Sequence, residues 1–261
     1  QNEHWVTFCF SQTATVLQGG DIISSTVFSD YRIIISVVHL YKDLTVKNCN
    51  LFLSEDVKIV MHNGSKLIID NSKLISSDLE NCLSSPGYWK GIKVLGRADI
   101  KLMNGSLIGQ TKDVCIESVV SGNQLILTLQ SGSRMEKING DVLAAKNNFI
   151  YLRTSGGSAF NGNFEVINCQ GALYLSNTDF KGGNVINCNV TISNSCIFTE
   201  NLSINHSQFK TCNISESTFI RTLAIDNSRN SVLIRNNHFS GVSRSLRLNE
   251  IIDYDIVDNH F

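Results

Sequence analysis

The chain has 261 residues, 42% of them hydrophobic, a formal net charge of −1 and only 17% charged residues. That length allows a large core in one domain or at most two. The densest basic group, Arg244 with Arg247, suits a solvated loop edge and is too small for a nucleic-acid surface, and no apolar run reaches the ~18 residues of a membrane span.

Residues 1–30 are the least regular part and are expected to form an N-terminal cap or lead-in segment, which covers the open hydrophobic end of a coil. The chain begins at Gln1 rather than Met, which fits a start after signal-peptide removal or a boundary inside a longer chain. The longest apolar run, Ile33 to Val38, is interrupted by Ser36 and reads as one buried strand. Leu44-Thr-Val46, Leu51-Phe-Leu53, Val57-Lys-Ile-Val60 and Leu67 to Leu74 follow as short strands separated by Asn, Ser and Gly. Pro86-Gly87 marks a turn before Tyr88-Trp89, and Leu102-Met-Asn-Gly-Ser-Leu107 is the next strand with its bend.

The second half repeats a hexapeptide: an aliphatic residue, two variable residues, a small polar residue, one variable residue, then Phe. It reads Leu175 to Phe180, Ile204 to Phe209, Ile214 to Phe219, Ile234 to Phe239 and Ile256 to Phe261, with Ile192 to Phe198 one residue longer. From Phe180 the spacing is 18 residues to Phe198, 21 to Phe219, 20 to Phe239 and 22 to Phe261, while Phe209 falls between and suggests a second side of the coil. Val166-Ile-Asn-Cys169 returns as Val185-Ile-Asn-Cys188. Short alternating runs such as Leu173-Tyr-Leu175 and Val190-Thr-Ile192 exclude helical repeats, and the leucine-rich consensus is absent. The period predicts an all-β, single-stranded, right-handed parallel β-helix (solenoid) of roughly ten coils, about 50 Å long at ~4.8 Å per coil, over residues 31–261. Alternate side chains point inward, and the small polar residue before each Phe sits at a bend.

Eight cysteines occur without a CxxC pair, which argues against a zinc site. Most, including Cys49, Cys169, Cys188 and Cys212, read as small reduced side chains stacked in the core.

The text from Asp43 to Gly96 resembles the start of the large β-helical surface proteins of Bacteroidetes. The resemblance is carried by Leu44-Thr-Val46, Ile59-Val60, Asn63-Gly-Ser-Lys-Leu67 and the phrase Tyr88-Trp-Lys-Gly-Ile-Lys-Val94. In that family a leading strand and a G-x-L block precede a W-x-G-I phrase, and here Gly64 to Leu67 is one residue longer than G-x-L. The resemblance implies a secreted or cell-surface protein with no defined activity. It also implies a sorting or functional region beyond Phe261, where the chain stops on the last residue of a repeat.

Fold alone does not choose among lyases, hydrolases, adhesins and stalks. Asn177-Thr-Asp179 resembles the first motif of polygalacturonase-type hydrolases, but the companion Asp-Asp, Gly-His-Gly and Arg-x-Lys phrases are missing, and the tripeptide lies inside the repeat. Tyr88 and Trp89 are candidates for stacking on sugar rings, with Trp89 packing a loop onto the coil as the competing reading. His238 and His260 share a repeat position and, one coil apart, are candidate ligands for a metal or anion. Asp253 and Asp255 fall on one face by alternation and are candidate cation ligands. No catalytic residue and no cofactor are implied. The expected role is a non-enzymatic interaction or structural module that binds a polysaccharide or another surface protein, without nucleic acid or membrane span. The alternative is a polysaccharide lyase or glycoside hydrolase.

Overall fold

The computed structural model describes residues 15–55, 57–76, 88–206, 210–240 and 245–261, without the side chains of residues 138 and 139. Among these residues there is no helix. Every strand pairs in parallel with its equivalent one coil away, and the result is a parallel β-solenoid of about eleven turns.

Each coil carries three short strands. The first face runs from Thr15–Leu17 through Arg32–Ile34 and Asn50–Leu53 to His238–Phe239. The second runs from Gly20–Ile22 through Val38–Leu40 and Ile59–Met61 to Leu246–Asn249. These two faces form one 19-stranded sheet, because Arg134–Lys146, Ser158–Ile167 and Thr178–Ile186 run unbroken through the corner between them. The third face, from Thr26–Phe28 to Tyr254–Val257, is a separate 11-stranded sheet.

Alternation fills the interior. In the third face Leu127, Leu152, Leu173 and Val190 are successive partners and all buried, as are Leu129, Thr154, Leu175 and Ile192. On the first face Phe160, Phe180, Phe198, Phe219, Phe239 and Phe261 stack ring on ring, with centroids 4.9–5.3 Å apart. That separation is the strand spacing itself, so the hexapeptide repeat is the sequence image of this ladder.

The bends before Leu74, Phe180, Phe219 and Phe239 share one chemistry. A residue in the left-handed region opens each, as at Asn71 (φ 46°), Asn177 (φ 42°) and Asn236 (φ 53°); Asn tolerates that region better than most residues. The next residue turns inward and closes the corner. Ser72 donates to the Asp70 carbonyl at 2.8 Å, Thr178 to Ser176 at 2.7 Å and Ser217 to Ser215 at 2.9 Å. The column also links coils, since the Ser217 amide donates to Asn237 Oδ1 and the Asn237 amide to Asn259 Oδ1. These bonds satisfy backbone groups that leave the ladder at the bend.

One expectation changes. Ile33 to Val38 is two strands rather than one, broken at a corner where Ile35 and Val37 face solvent and Ser36 Oγ donates to the Gln18 carbonyl. Within the expected lead-in segment, Thr15–Leu17, Gly20–Ile22 and Thr26–Phe28 each pair with the following coil. Residues 1–14 of the segment expected to form a cap or lead-in lie outside the described residues, as do Pro86, Phe209 and Arg244.

The described cysteines, Cys49, Cys115, Cys169, Cys188, Cys196 and Cys212, are all buried free thiols. Cys169 and Cys188 stack in one corner column, the Cys169 amide donating to Cys188 Sγ at 3.4 Å. Burial pushes the Cys212 thiol up to about 12, so it stays protonated and unreactive.

Candidate functional site

The residues singled out in the sequence fall in three separate places. Trp89 is fully buried, and its Nε1 donates to the Gly109 carbonyl at 2.8 Å. Its ring therefore offers no face to a sugar, and the packing reading of this residue is the one the fold realises. The rest of the phrase is structural as well. Gly91 has φ 83°, and a Cβ there would sit 2.2 Å from the Val114 carbonyl oxygen, while Ile92 enters the core. Tyr88 beside it is half-buried.

His238 and His260 do lie one coil apart, bridged in parallel, with rings stacked at 5.0 Å. Asp253 and Asp255 are both exposed on the last coil. Among the described residues no group of three or more His, Cys, Asp or Glu is placed to hold a metal ion.

Sequence reasoning missed a surface that the register builds on the outside of the third face. In Phe149–Thr154, alternation puts Ile150, Leu152 and Thr154 inside and Phe149, Tyr151 and Arg153 outside. One coil on, Gln170–Ser176 sends Leu173 and Leu175 inward and Gln170, Ala172 and Tyr174 outward. Tyr151 pairs with Ala172, and Arg153 pairs with Tyr174. The two tyrosines are thus diagonal neighbours about 8 Å apart. Phe149 is 42% and Tyr174 47% exposed, so both rings present a face to solvent. The Arg153 guanidinium lies 6.0 Å from the Tyr174 ring centroid, within reach of a cation–π contact.

The residues around these rings are mostly uncharged. Gln124 and Gln170 flank Phe149, and Thr128 and Thr191 flank Arg153 and Tyr174 in the same column. Gly171, at φ 105°, brings this coil so close to the one below that a Cβ would lie 2.1 Å from the Ile150 carbonyl oxygen. The alternation of Phe149-Ile-Tyr-Leu-Arg and Leu173-Tyr-Leu does signal outward rings. Their adjacency depends on a register that no sequence motif states.

A second feature opens at the corner between the first two faces. A cleft of about 500 Å³ is lined there by Asp141, Glu165, Lys181, Gly183, Asn184 and Glu200, among others. Lys146 holds Glu165 in an ion pair at 2.6 Å. Burial, and then the Glu165 charge, raise the Asp141 carboxyl above the usual carboxylate range, with Lys137 and Lys146 opposing.

No family model matches the chain, and no curated protein and no solved structure matches it either. What the fold defines is a class, the all-β parallel solenoids. No helix among the described residues is long and apolar enough to cross a membrane.

Proposed function

We propose that this chain is a secreted or cell-surface, non-enzymatic solenoid module that holds a neutral polysaccharide against the outside of its 11-stranded sheet. The observation that carries the reading is the open ring cluster of Phe149, Tyr151 and Tyr174 on a flat strand face. A pyranose presents a C–H face that packs on the electron-rich face of an aromatic ring, and its hydroxyls suit Gln and Thr neighbours. Two platforms on adjacent coils, with the small Ala172 between them, fit an extended chain lying across the coils. The extracellular setting rests on the resemblance carried by Tyr88 to Val94. The same resemblance favours a larger surface protein as the context.

A second reading is favoured by the cleft. The cleft gathers an Asp141 carboxyl raised toward protonation with Glu165 and Glu200, and a glycoside hydrolase needs two such carboxyls about 5–10 Å apart as acid and base. One experiment separates the two. The protein is passed over immobilised neutral and acidic polysaccharides, with and without calcium, while reducing-end release is recorded. Retention on a neutral polymer without cleavage is expected. Tyr174→Ala and Tyr151→Ala each weaken it about tenfold, equivalent to about 1.4 kcal/mol. Cleavage that vanishes in Asp141→Asn and survives in Tyr174→Ala supports the hydrolase and overturns the binding module. Retention on acidic polymers alone, unchanged in both tyrosine variants, removes the platform from consideration.

A further inference from the structure

Two histidines from consecutive N-terminal coils meet on the outside of the second face, next to its corner with the third. His39 points outward from Val38–Leu40, and His62 follows directly after Ile59–Met61 on the next coil. His39 Nδ1 and His62 Nε2 lie 3.0 Å apart, with ring centroids at 5.3 Å. The Tyr41 ring stacks on His62 at 4.1 Å and 11°, which fixes the plane of that imidazole. Asp21 is the strand partner of His39 one coil earlier, so a carboxylate stands on the same face. Both histidines are only part-buried, so an ion can reach them from solvent.

The geometry points to a bis-imidazole site for copper(II) at His39 Nδ1 and His62 Nε2. Imidazole nitrogen suits late first-row divalent ions, and copper(II) binds such sites most tightly among them. With metal–nitrogen bonds of about 2.0 Å, two cis ligands at a right angle lie about 2.8 Å apart, while tetrahedral ligands lie about 3.3 Å apart. The observed 3.0 Å lies between these values, so a metal can replace the proton with little movement of either ring, and the preference for copper(II) rests on its affinity for imidazole. Without metal, one of the two nitrogens carries the proton between them. Binding needs that proton moved to the far nitrogen of its own ring, a tautomer change that costs no net ionisation. Asp21 adds the negative charge that favours a cation here, and water completes the coordination. The His238–His260 pair, stacked at 5.0 Å and 20°, serves as the internal control.

The test is a titration of the chelator-treated full chain with copper(II), followed by calorimetry and electron paramagnetic resonance. One equivalent is expected to bind with a spectrum showing two nitrogen ligands. His62→Ala and His39→Ala should each weaken binding at least thirtyfold, with His238→Ala unchanged. Without metal each variant should keep a single cooperative thermal transition, lowered by no more than the lost ring contact, which separates lost ligation from lost fold. Binding that persists in His62→Ala, binding lost in His238→Ala, or zinc bound more tightly than copper overturns the assignment.

Discussion

Phe198→Ala is expected to lower the unfolding free energy by about 3–5 kcal/mol, the range of a fully buried aromatic residue. The ring lies between Phe180, at 4.9 Å and 10°, and Phe219, at 5.1 Å and 6°, and it is fully buried. Removing it deletes two stacking contacts at once and leaves a void whose walls are themselves rings held by their own neighbours. The walls therefore have little room to collapse into the space. A solenoid is stabilised by nearest-neighbour interfaces, so the loss is local in space. Hydrogen exchange should accelerate in the strands flanking Phe198, namely Thr178–Ile186, Leu202–Asn205 and Thr218–Phe219. Strands of the N-terminal coils such as Leu44–Lys47 should be unaffected. Phe198→Leu, which refills most of the volume, should cost about 1–2 kcal/mol by denaturant unfolding. Equal losses for Ala and Leu would mean that the ladder contributes through ring stacking alone. A loss below about 1 kcal/mol for Ala would deny the ladder any role in holding coils together.

The same ladder shows what the sequence made legible and why. Phe180, Phe198, Phe219, Phe239 and Phe261 recur at nearly constant spacing because each occupies the same inward position of a successive coil. The small polar residue two before each Phe was placed at a bend, and Thr178 and Ser217 close such bends with bonds to carbonyls two residues back. His238 and His260 were placed one coil apart on the same logic, and they are bridged. The reading fails where coil length varies or where a residue type has two homes. Trp89 carries an apolar body and one donor, and only the packing decides that the donor meets Gly109 inside. Ile33 to Val38 looks like one strand because hydrophobicity does not record the corner that exposes Ile35 and Val37. The ring platform and the His39–His62 contact both need residues more than 20 positions apart to be brought side by side. In the N-terminal coils no repeated phrase gives the register that does so.

Acidification should destabilise the protein through His206, and His206→Leu should abolish that component. His206 occupies the corner register of Asn187 and Asn227, shown by successive amide bonds from Asn187 to the Asn205 carbonyl, from His206 to Asp226 and from Asn227 to Asn249. Both asparagines are in the left-handed region, at φ 54° and 59°, whereas His206 is not. Its side chain is fully buried, and neither ring nitrogen has a hydrogen-bond partner in good geometry. Burial pushes the imidazole down to about 4, Lys210 adds to the shift, and the Cys188 backbone opposes it. A histidine whose folded value lies below its unfolded 6.5 takes up its proton on unfolding. Its contribution is fully present above pH 6.5 and is lost as pH falls from 6.5 toward 4. The span corresponds to about 3 kcal/mol. Asp99 and Asp141, both raised by burial, act with the opposite sign, because the folded state takes up their protons first as pH falls. The raw stability curve therefore mixes the terms, and the difference between wild type and His206→Leu isolates the histidine. At pH 7 the variant should be more stable by about 1–3 kcal/mol, since it removes two buried polar atoms that lack partners. By pH 5 the gap should widen by about 2 kcal/mol. Denaturant unfolding at both pH values measures it, and parallel curves for the two proteins would show that His206 keeps an ordinary affinity for its proton despite its burial.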